Sequence, residues 1–290
     1  MSAGDGLGAF VSRLRVAVRP RSRIRIRELV PHGPRETRPT GFGSEDNTPL
    51  VGGDLHSSFD AHTGHVAHKW RHYFDVYETL LAPFRAGFGV GGVPRPLRFL
   101  EIGVSEGGSL EFWRDWLGPE AVIVGVDVDQ SCRDVVSEDV ALVRIGSQDD
   151  PRFLRSVVDE LGGSVDVVLD DGSHIATHQR VSFNTLWPLL TDGGLYICED
   201  VHTSYWPGYE GGLRRPGTAV EEAKDLVDDM HRRYYTEARS RRPAIPSRPD
   251  VWSVSFFDSV IAVHKRSRPD SRRIVRGDET RREQQSDSRS

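Results

Sequence analysis

Cysteine is scarce in this 290-residue chain, with only Cys132 and Cys198 present. Cys198 falls inside an apolar run. This excludes a disulfide framework and points to a reducing compartment, the cytoplasm. No apolar stretch approaches the roughly 20 residues that a membrane-spanning helix needs. The Arg-rich start lacks the apolar core and cleavage site of a secretory signal, so no membrane partner is expected. Lysine is limited to Lys69, Lys224 and Lys265, and arginine carries the rest of the positive charge. That charge is uneven. Residues 1–40 hold nine Arg against three acids and residues 266–290 hold eight Arg against five, giving +6 and +3; out of a total of −5 this leaves −14 on residues 41–265. So acidic a centre is unsuited to nucleic acid.

The uneven composition divides the chain into an Arg-rich, weakly ordered segment at 1–55, a globular domain at 56–265 and a disordered polar tail at 266–290. Within the first segment, Arg alternates with apolar residues from Arg21 to Arg27, which predicts a short exposed strand. Pro20, Pro31, Pro34 and Pro39 interrupt longer patterns. A helix is expected from His68 to Arg85, because Trp70, Tyr73, Tyr77, Leu80, Leu81 and Phe84 recur at helical spacing as a core stripe. Apolar runs then predict strands at Leu97–Ile102, Ala121–Val126, Val140–Ile145, Val165–Leu169 and Leu195–Cys198. Between or after them lie helical stretches at Leu110–Leu117, Arg180–Leu190 and Glu221–Tyr235. Trp252–Phe257 and Val260–His264 make two closing strands joined at Asp258-Ser259. Alternation of strand and helix gives an α/β fold with a parallel sheet.

Two signals carry chemistry. The first is Gly103-Val104-Ser105-Glu106-Gly107-Gly108-Ser109, a glycine-rich turn between a strand and a helix, where backbone can approach a ligand closely. Asp127 ends the next strand, placed to accept hydrogen bonds from a ribose diol. Together they indicate an adenosine-containing cofactor, with Glu101 either a polar anchor for it or only a support of the glycine loop through backbone hydrogen bonds. Gln148 and Asp149, after Ser147, either edge an adenine or only shape a turn.

The second signal is a pair of acidic motifs, Asp170-Asp171-Gly172-Ser173-His174 and Glu199-Asp200-Val201-His202, each at the end of an apolar run. A strand–helix–strand unit puts both ends on one edge of a parallel sheet, about 4.8 Å apart if the strands are neighbours. Asp171, Glu199 and Asp200 would then meet. Converging carboxylates repel unless a cation sits between them, and a hard divalent ion such as magnesium fits oxygen donors. His174 lies where a base is useful. The bland alternatives are that Asp170 and Asp171 cap the following helix and that His174 is a structural hydrogen-bonder. Tyr205, Trp206 and Tyr209, with Gly211-Gly212, suit either loop packing or a flap over an acceptor.

Glu101-Ile102-Gly103 with its loop, Asp127 and the closing strands resemble the class I S-adenosylmethionine-dependent methyltransferases. Lys69-Trp70-Arg71-His72-Tyr73, Asp170 to His174 with His178-Gln179, and Glu199 to Trp206 resemble, within that class, the metal-dependent macrolide-sugar O-methyltransferases of the mycinamicin type. The resemblance covers residues 56–265. It implies a Rossmann-like, seven-stranded, mostly parallel sheet with an antiparallel last strand and helices on both faces. It also implies S-adenosylmethionine and Mg2+ as cofactors. Glu101, Gly103, Gly107, Ser109, Asp127, Ser147, Gln148 and Asp170 would contact the methyl donor; Asp171, Glu199 and Asp200 would hold the metal; His174 would be the base. The acceptor would be a glycosylated small molecule, in antibiotic biosynthesis, and a homo-oligomer is compatible with the family. Larger members carry an extra N-terminal domain where this chain has its Arg-rich segment. Three rivals compete: a nicotinamide-dependent dehydrogenase, which the glycine turn and distal acid would also fit; a metal-dependent hydroxylase, which needs two His and one carboxylate; and a non-catalytic cofactor-binding protein.

Overall fold

The computed structural model describes residues 45–89, 94–235 and 248–277. The Arg21–Arg27 strand and the tail beyond residue 277 lie outside these. Seven strands form one sheet: β1 (Arg98–Ile102), β2 (Val122–Asp127), β3 (Leu142–Ile145), β4 (Val165–Asp170), β5 (Leu190–Cys198), β6 (Val251–Phe257) and β7 (Val260–Lys265). Their order is β3-β2-β1-β4-β5-β7-β6. The strands from β1 to β5 pair in parallel, and β7 runs antiparallel to both of its neighbours, β5 and β6. This is the expected mostly parallel sheet with an antiparallel last strand.

The helices are α1 (Asp54–Asp60), α2 (Tyr73–Leu81), α3 (Gly108–Leu117), α4 (Pro151–Glu160), α5 (Ala176–Leu186) and α6 (Ala219–His231). Strand alternation sorts the core into two layers. Phe99, Val167, Leu169, Leu195 and Ile197 face α1, α2 and α3; Leu100, Ile102, Val168, Tyr196 and Cys198 face α4, α5 and α6. Most of β1 and all of β4 are buried, which is why both read as largely apolar runs.

Several elements differ from expectation, among them the crossover helix expected at Arg180–Leu190, which runs as α5 from Ala176 to Leu186. The helix expected from His68 starts only at Tyr73, and residues 65–70 run without helix or strand. Neither α1 nor α4 was anticipated. α4 has a readable start: Asp150 accepts from the Arg152 and Phe153 amides at 2.8 and 3.3 Å, and Pro151 opens the helix. β5 begins at Leu190 rather than Leu195, across a register shift opposite β4.

At the N-terminal end of β4, Asp166 is buried and staples the sheet. Its carboxylate accepts from Arg95 at 2.6 and 2.7 Å, from the Arg98 amide at 2.9 Å and guanidinium at 3.0 Å, and from Thr191 at 2.8 Å. The functional residues gather at the opposite, C-terminal edge.

Candidate active site

Register brings the motifs together. Ile102 pairs with Asp170, and Asp170 pairs with Cys198, so the residues that follow β1, β4 and β5 leave the sheet side by side. The Asp171 amide donates to the Ile102 carbonyl and the Glu199 amide to the Asp170 carbonyl, both at 2.9 Å. Ser105, His174 and Asp200 all take the left-handed backbone region, with φ of 51°, 59° and 53°. Non-glycine residues there carry strain that surrounding structure must hold in place, and such residues cluster at functional sites.

The acids do meet, but a lysine stands among them. Lys69 Nζ lies 2.6 Å from Asp171 Oδ2, 3.0 and 3.1 Å from the two Glu199 oxygens and 3.7 Å from Glu101 Oε1. Burial alone would lower the ammonium's pKa, but Asp171, Glu199 and Glu101 together hold it above the usual lysine range. Tyr77 donates to Glu199 Oε1 at 2.5 Å. Burial and the Asp171 charge raise the Glu199 carboxyl, opposed by Lys69 and Tyr77. Asp200 is held separately: its Oδ1 accepts from Tyr73 at 2.6 Å and from Trp70 Nε1 at 2.9 Å.

The free sides of Asp171 and Asp200 face His174. Its Nε2 lies 3.8 Å from Asp171 Oδ1 and 3.5 Å from Asp200 Oδ2. One donor atom from each of these three residues lies within 4.8 Å of the others, a grouping that could hold a metal ion. Glu199 is not in it. His174 Nδ1 is buried without a protein hydrogen-bond partner. His178 binds Ser173 Oγ at 2.9 Å, and His202 contacts Ser259.

The glycine turn lies beside this cluster. Gly103 has φ of 99°, and a Cβ there would stand 2.2 Å from the Asp171 carbonyl oxygen. Gly107, with φ of 88°, precedes the first residue of α3. Asp127 Oδ2 accepts from the Val104 and Ser105 amides at 2.9 and 3.1 Å, and Oδ1 from the Asp129 amide at 2.9 Å. Thus two turn amides already point at a carboxylate. Glu101 accepts from Ser109 Oγ at 3.0 Å and Trp113 Nε1 at 3.4 Å, and burial pushes its carboxyl up to about 7 against the pull of Lys69.

Two of the expected donor-binding side chains turn inward. Gln148 spends its amide inside the protein: Nε2 donates to Asp170 Oδ1 at 3.1 Å and Ser182 Oγ at 3.0 Å, and Oε1 accepts from the Ser173 amide at 2.6 Å. Asp170 is fully buried, shares the α4–α6 face with Tyr196, and accepts from its hydroxyl at 2.7 Å. Burial raises the Asp170 carboxyl, opposed chiefly by that bond. Both side chains therefore brace the Asp171–His174 loop from behind. Ser147, the third member of this group, contacts Asp149 at the surface.

Sequence reading missed the polar roles of Lys69, Trp70, Tyr73 and Tyr77. A usable signal existed: Lys69, Tyr73 and Tyr77 are spaced by four, headed by one of only three lysines.

Residues 100–201 match the family model described as a methyltransferase domain. That match places a methyltransferase domain at residues 100–201. Among similar proteins is the 8-demethyl-8-alpha-L-rhamnosyl tetracenomycin-C 2'-O-methyltransferase of Streptomyces olivaceus, 36% identical over 212 residues, which are 70% of this chain and 53% of that one. Another is the mycinamicin VI 2''-O-methyltransferase of Micromonospora griseorubida, 35% identical over 181 residues, 58% of this chain and 44% of that one. Among solved structures, the MycE methyltransferase of the mycinamicin pathway, in complex with Mg, SAH and mycinamicin VI, aligns with a TM-score of 0.59 at 28% identity, covering 74% of this chain and 53% of that one. The chain thus spans about half the length of the curated relatives it matches.

Proposed function

We propose that this methyltransferase moves a methyl group from S-adenosylmethionine to a hydroxyl of a glycosylated natural product, a sugar hydroxyl in antibiotic biosynthesis, with magnesium required. The observation that carries this reading is the convergence of Asp171 Oδ1, Asp200 Oδ2 and His174 Nε2 beside the Gly103–Ser109 turn. The two carboxylates fit a hard cation, since such ions take oxygen ligands and magnesium usually uses one or two carboxylates plus water, which leaves His174 Nε2 as a base and not a ligand. The turn and Asp127 fit a nucleoside. When bound, the sulfonium supplies an electrophilic methyl and the cation supplies Lewis acidity at the acceptor.

The chain's own residues do the rest. Asp127, locked by three backbone amides, is preorganised to accept from ribose hydroxyls. Glu101, Gly103, Gly107 and Ser109 shape the floor beneath the methionine portion. Tyr73 and Trp70 fix one oxygen of Asp200 and leave the other facing His174. His174 Nε2 accepts the hydroxyl proton, a role typically worth 10²–10⁴-fold. Holding acceptor and methyl in line is positional work.

The rivals fit less well. A dinucleotide needs turn amides aimed at its pyrophosphate, whereas the Val104 and Ser105 amides point at Asp127. Iron-type oxygen activation wants two imidazoles and one carboxylate, the reverse of Asp171, His174 and Asp200. Two free, buried cysteines suit a reducing cytoplasm, and no described helix is long and apolar enough to cross a membrane.

The test has two parts. Calorimetry should show binding of S-adenosylmethionine and not NAD. A methyl-transfer screen over deoxysugar-bearing natural products should give product with magnesium and none after chelation. Binding of NAD alone, or undiminished turnover in metal-free protein, would refute the proposal.

A further inference from the structure

The segment that joins α1 to α2 lies across the glycine turn. Its backbone rests on Gly108, the first residue of α3. A Cβ at Gly108 would stand 2.2 Å from the His65 carbonyl oxygen and 2.5 Å from the Val66 carbonyl carbon, so only glycine lets the two backbones cross there. The segment then runs without helix or strand to Lys69, whose Nζ is 3.7 Å from Glu101. One side chain fastens the crossing. Glu111, in the first turn of α3, accepts from the His65 amide at 2.7 Å through one oxygen and meets His65 Nδ1 at 2.7 Å through the other. His62 Nε2 stands 3.8 Å from Glu111 and 2.8 Å from the His65 carbonyl oxygen. Burial alone would raise the Glu111 carboxyl, but the His65 contacts hold it below the usual range. It is therefore a carboxylate at neutral pH, and its contacts are charge-assisted.

On the methyl-donor reading above, we infer that residues 62–69 form a strap over the methionine end of the donor, and that Glu111 is the latch that sets how fast the donor enters and leaves. Glu111 is a positioning residue: it holds the strap and does not touch the donor. The floor of that end is Glu101, Gly103, Gly107 and Ser109, and the strap passes over it from Gly108 to Glu101. Donor exchange therefore needs the strap to lift, and lifting separates the His65 amide and ring from Glu111 together. Closure of a loop over a reaction site excludes water and commits the bound molecule, and its reopening commonly limits release. A strap without helix or strand of its own opens as readily as its few fastenings allow.

Stopped-flow release of S-adenosylhomocysteine from the full chain, with hydrogen exchange followed at residues 61–70, tests this without an acceptor. Glu111→Ala should speed release by about tenfold or more. Glu111→Gln keeps an acceptor for the His65 amide but loses the charge, and should speed release by about threefold. His65→Ala keeps its backbone amide, so it should act less than Glu111→Ala and add little to it in the double variant. Asp115→Ala, which removes an exposed acid from the same helix, is the control and should release at the wild-type rate. Bound S-adenosylhomocysteine should slow amide exchange at residues 61–70 in wild type, and less so in Glu111→Ala. Thermal melting separates a latch from a support of the fold, since a merely structural role lowers Tm and leaves the release rate alone. If Glu111→Ala does not fold, Glu111→Gln carries the comparison. The inference is overturned if the Glu111 variants release at the wild-type rate, if Asp115→Ala accelerates release as much as they do, or if the bound ligand leaves exchange at residues 61–70 unchanged. Failure of wild-type protein to bind S-adenosylhomocysteine at all would instead remove the methyl-donor reading, and the inference with it, before any variant is compared.

Discussion

Gly103→Ala tests whether the cofactor turn and the metal loop are one mechanical unit. At φ of 99° an alanine is strained, a cost of about 1–3 kcal/mol. Its Cβ would also stand 2.2 Å from the Asp171 carbonyl oxygen and 2.8 Å from the carbonyl carbon, where real contacts stay beyond 3.0 Å. Both are backbone atoms, so no side chain can rotate away. The Asp171 loop must retreat by about 0.8 Å, the gap between 2.2 and 3.0 Å. Such a shift stretches the 2.6 Å contact between Asp171 and Lys69 to as much as about 3.4 Å, the weak limit of a hydrogen bond. Overpacking of this kind adds about 1–3 kcal/mol. The summed loss is about 2–6 kcal/mol of unfolding free energy by urea titration, with Mn2+ affinity falling by about tenfold or more. Gly118→Ala is the control. It also has a positive φ, 87°, but its Cβ would meet nothing within 4 Å, so it should lose only the backbone-strain part, about 1–3 kcal/mol, and leave Mn2+ binding intact. If Gly103→Ala is no less stable than Gly118→Ala and binds Mn2+ normally, the two loops are not coupled as described.

Three further outcomes are expected. Asp166→Asn leaves Arg98 without its buried counter-charge and should cost about 3–5 kcal/mol in urea unfolding, with no change in Mn2+ affinity because Asp166 sits at the far edge of the sheet. Burial alone would raise the Asp166 carboxyl, but bonds from Arg95, Arg98 and Thr191 hold it below the usual range. Its contribution is therefore full at neutral pH and is lost as pH falls below the ordinary carboxylate value toward the lowered one; the variant should show a shallower acid dependence, and an unaltered slope would contradict this. His174→Gln should cut turnover by about 10²–10⁴-fold while S-adenosylmethionine affinity, read by calorimetry, stays near wild type. Asp127→Ala should weaken that affinity by about 1–3 kcal/mol, since it removes both a ribose acceptor and the anchor of the Val104 and Ser105 amides.

The sequence alone determined the sheet and the edge on which chemistry sits. Strands buried on both faces are mostly apolar, so β1, β2 and β4 stood out despite Glu101 and Asp166, and an acid directly after such a run lies at the strand's end. The strand–helix–strand order of β4, α5 and β5 by itself places Asp171, Glu199 and Asp200 on one edge. The helix α1 left little trace because Leu55 and His56 are its only buried residues. The last turn before α2 was misread because Trp70 keeps helical spacing although its indole leaves the stripe to reach Asp200.

Only the tertiary structure decided how the acids divide their work. Side chains next to each other along the chain part company at the end of a strand: Asp170 turns into the α4–α6 layer and binds Tyr196 and Gln148, while Asp171 stays at the edge. Likewise Glu199 is drawn inward by Lys69 and Tyr77, and Asp200 is fixed by Tyr73. These partners lie more than 100 residues away, on the approach to α2 and on α2 itself. Local pattern reports which groups a strand delivers to an edge. The charge that each group faces there is supplied by whatever packs across it, and that is set by the closure of the fold.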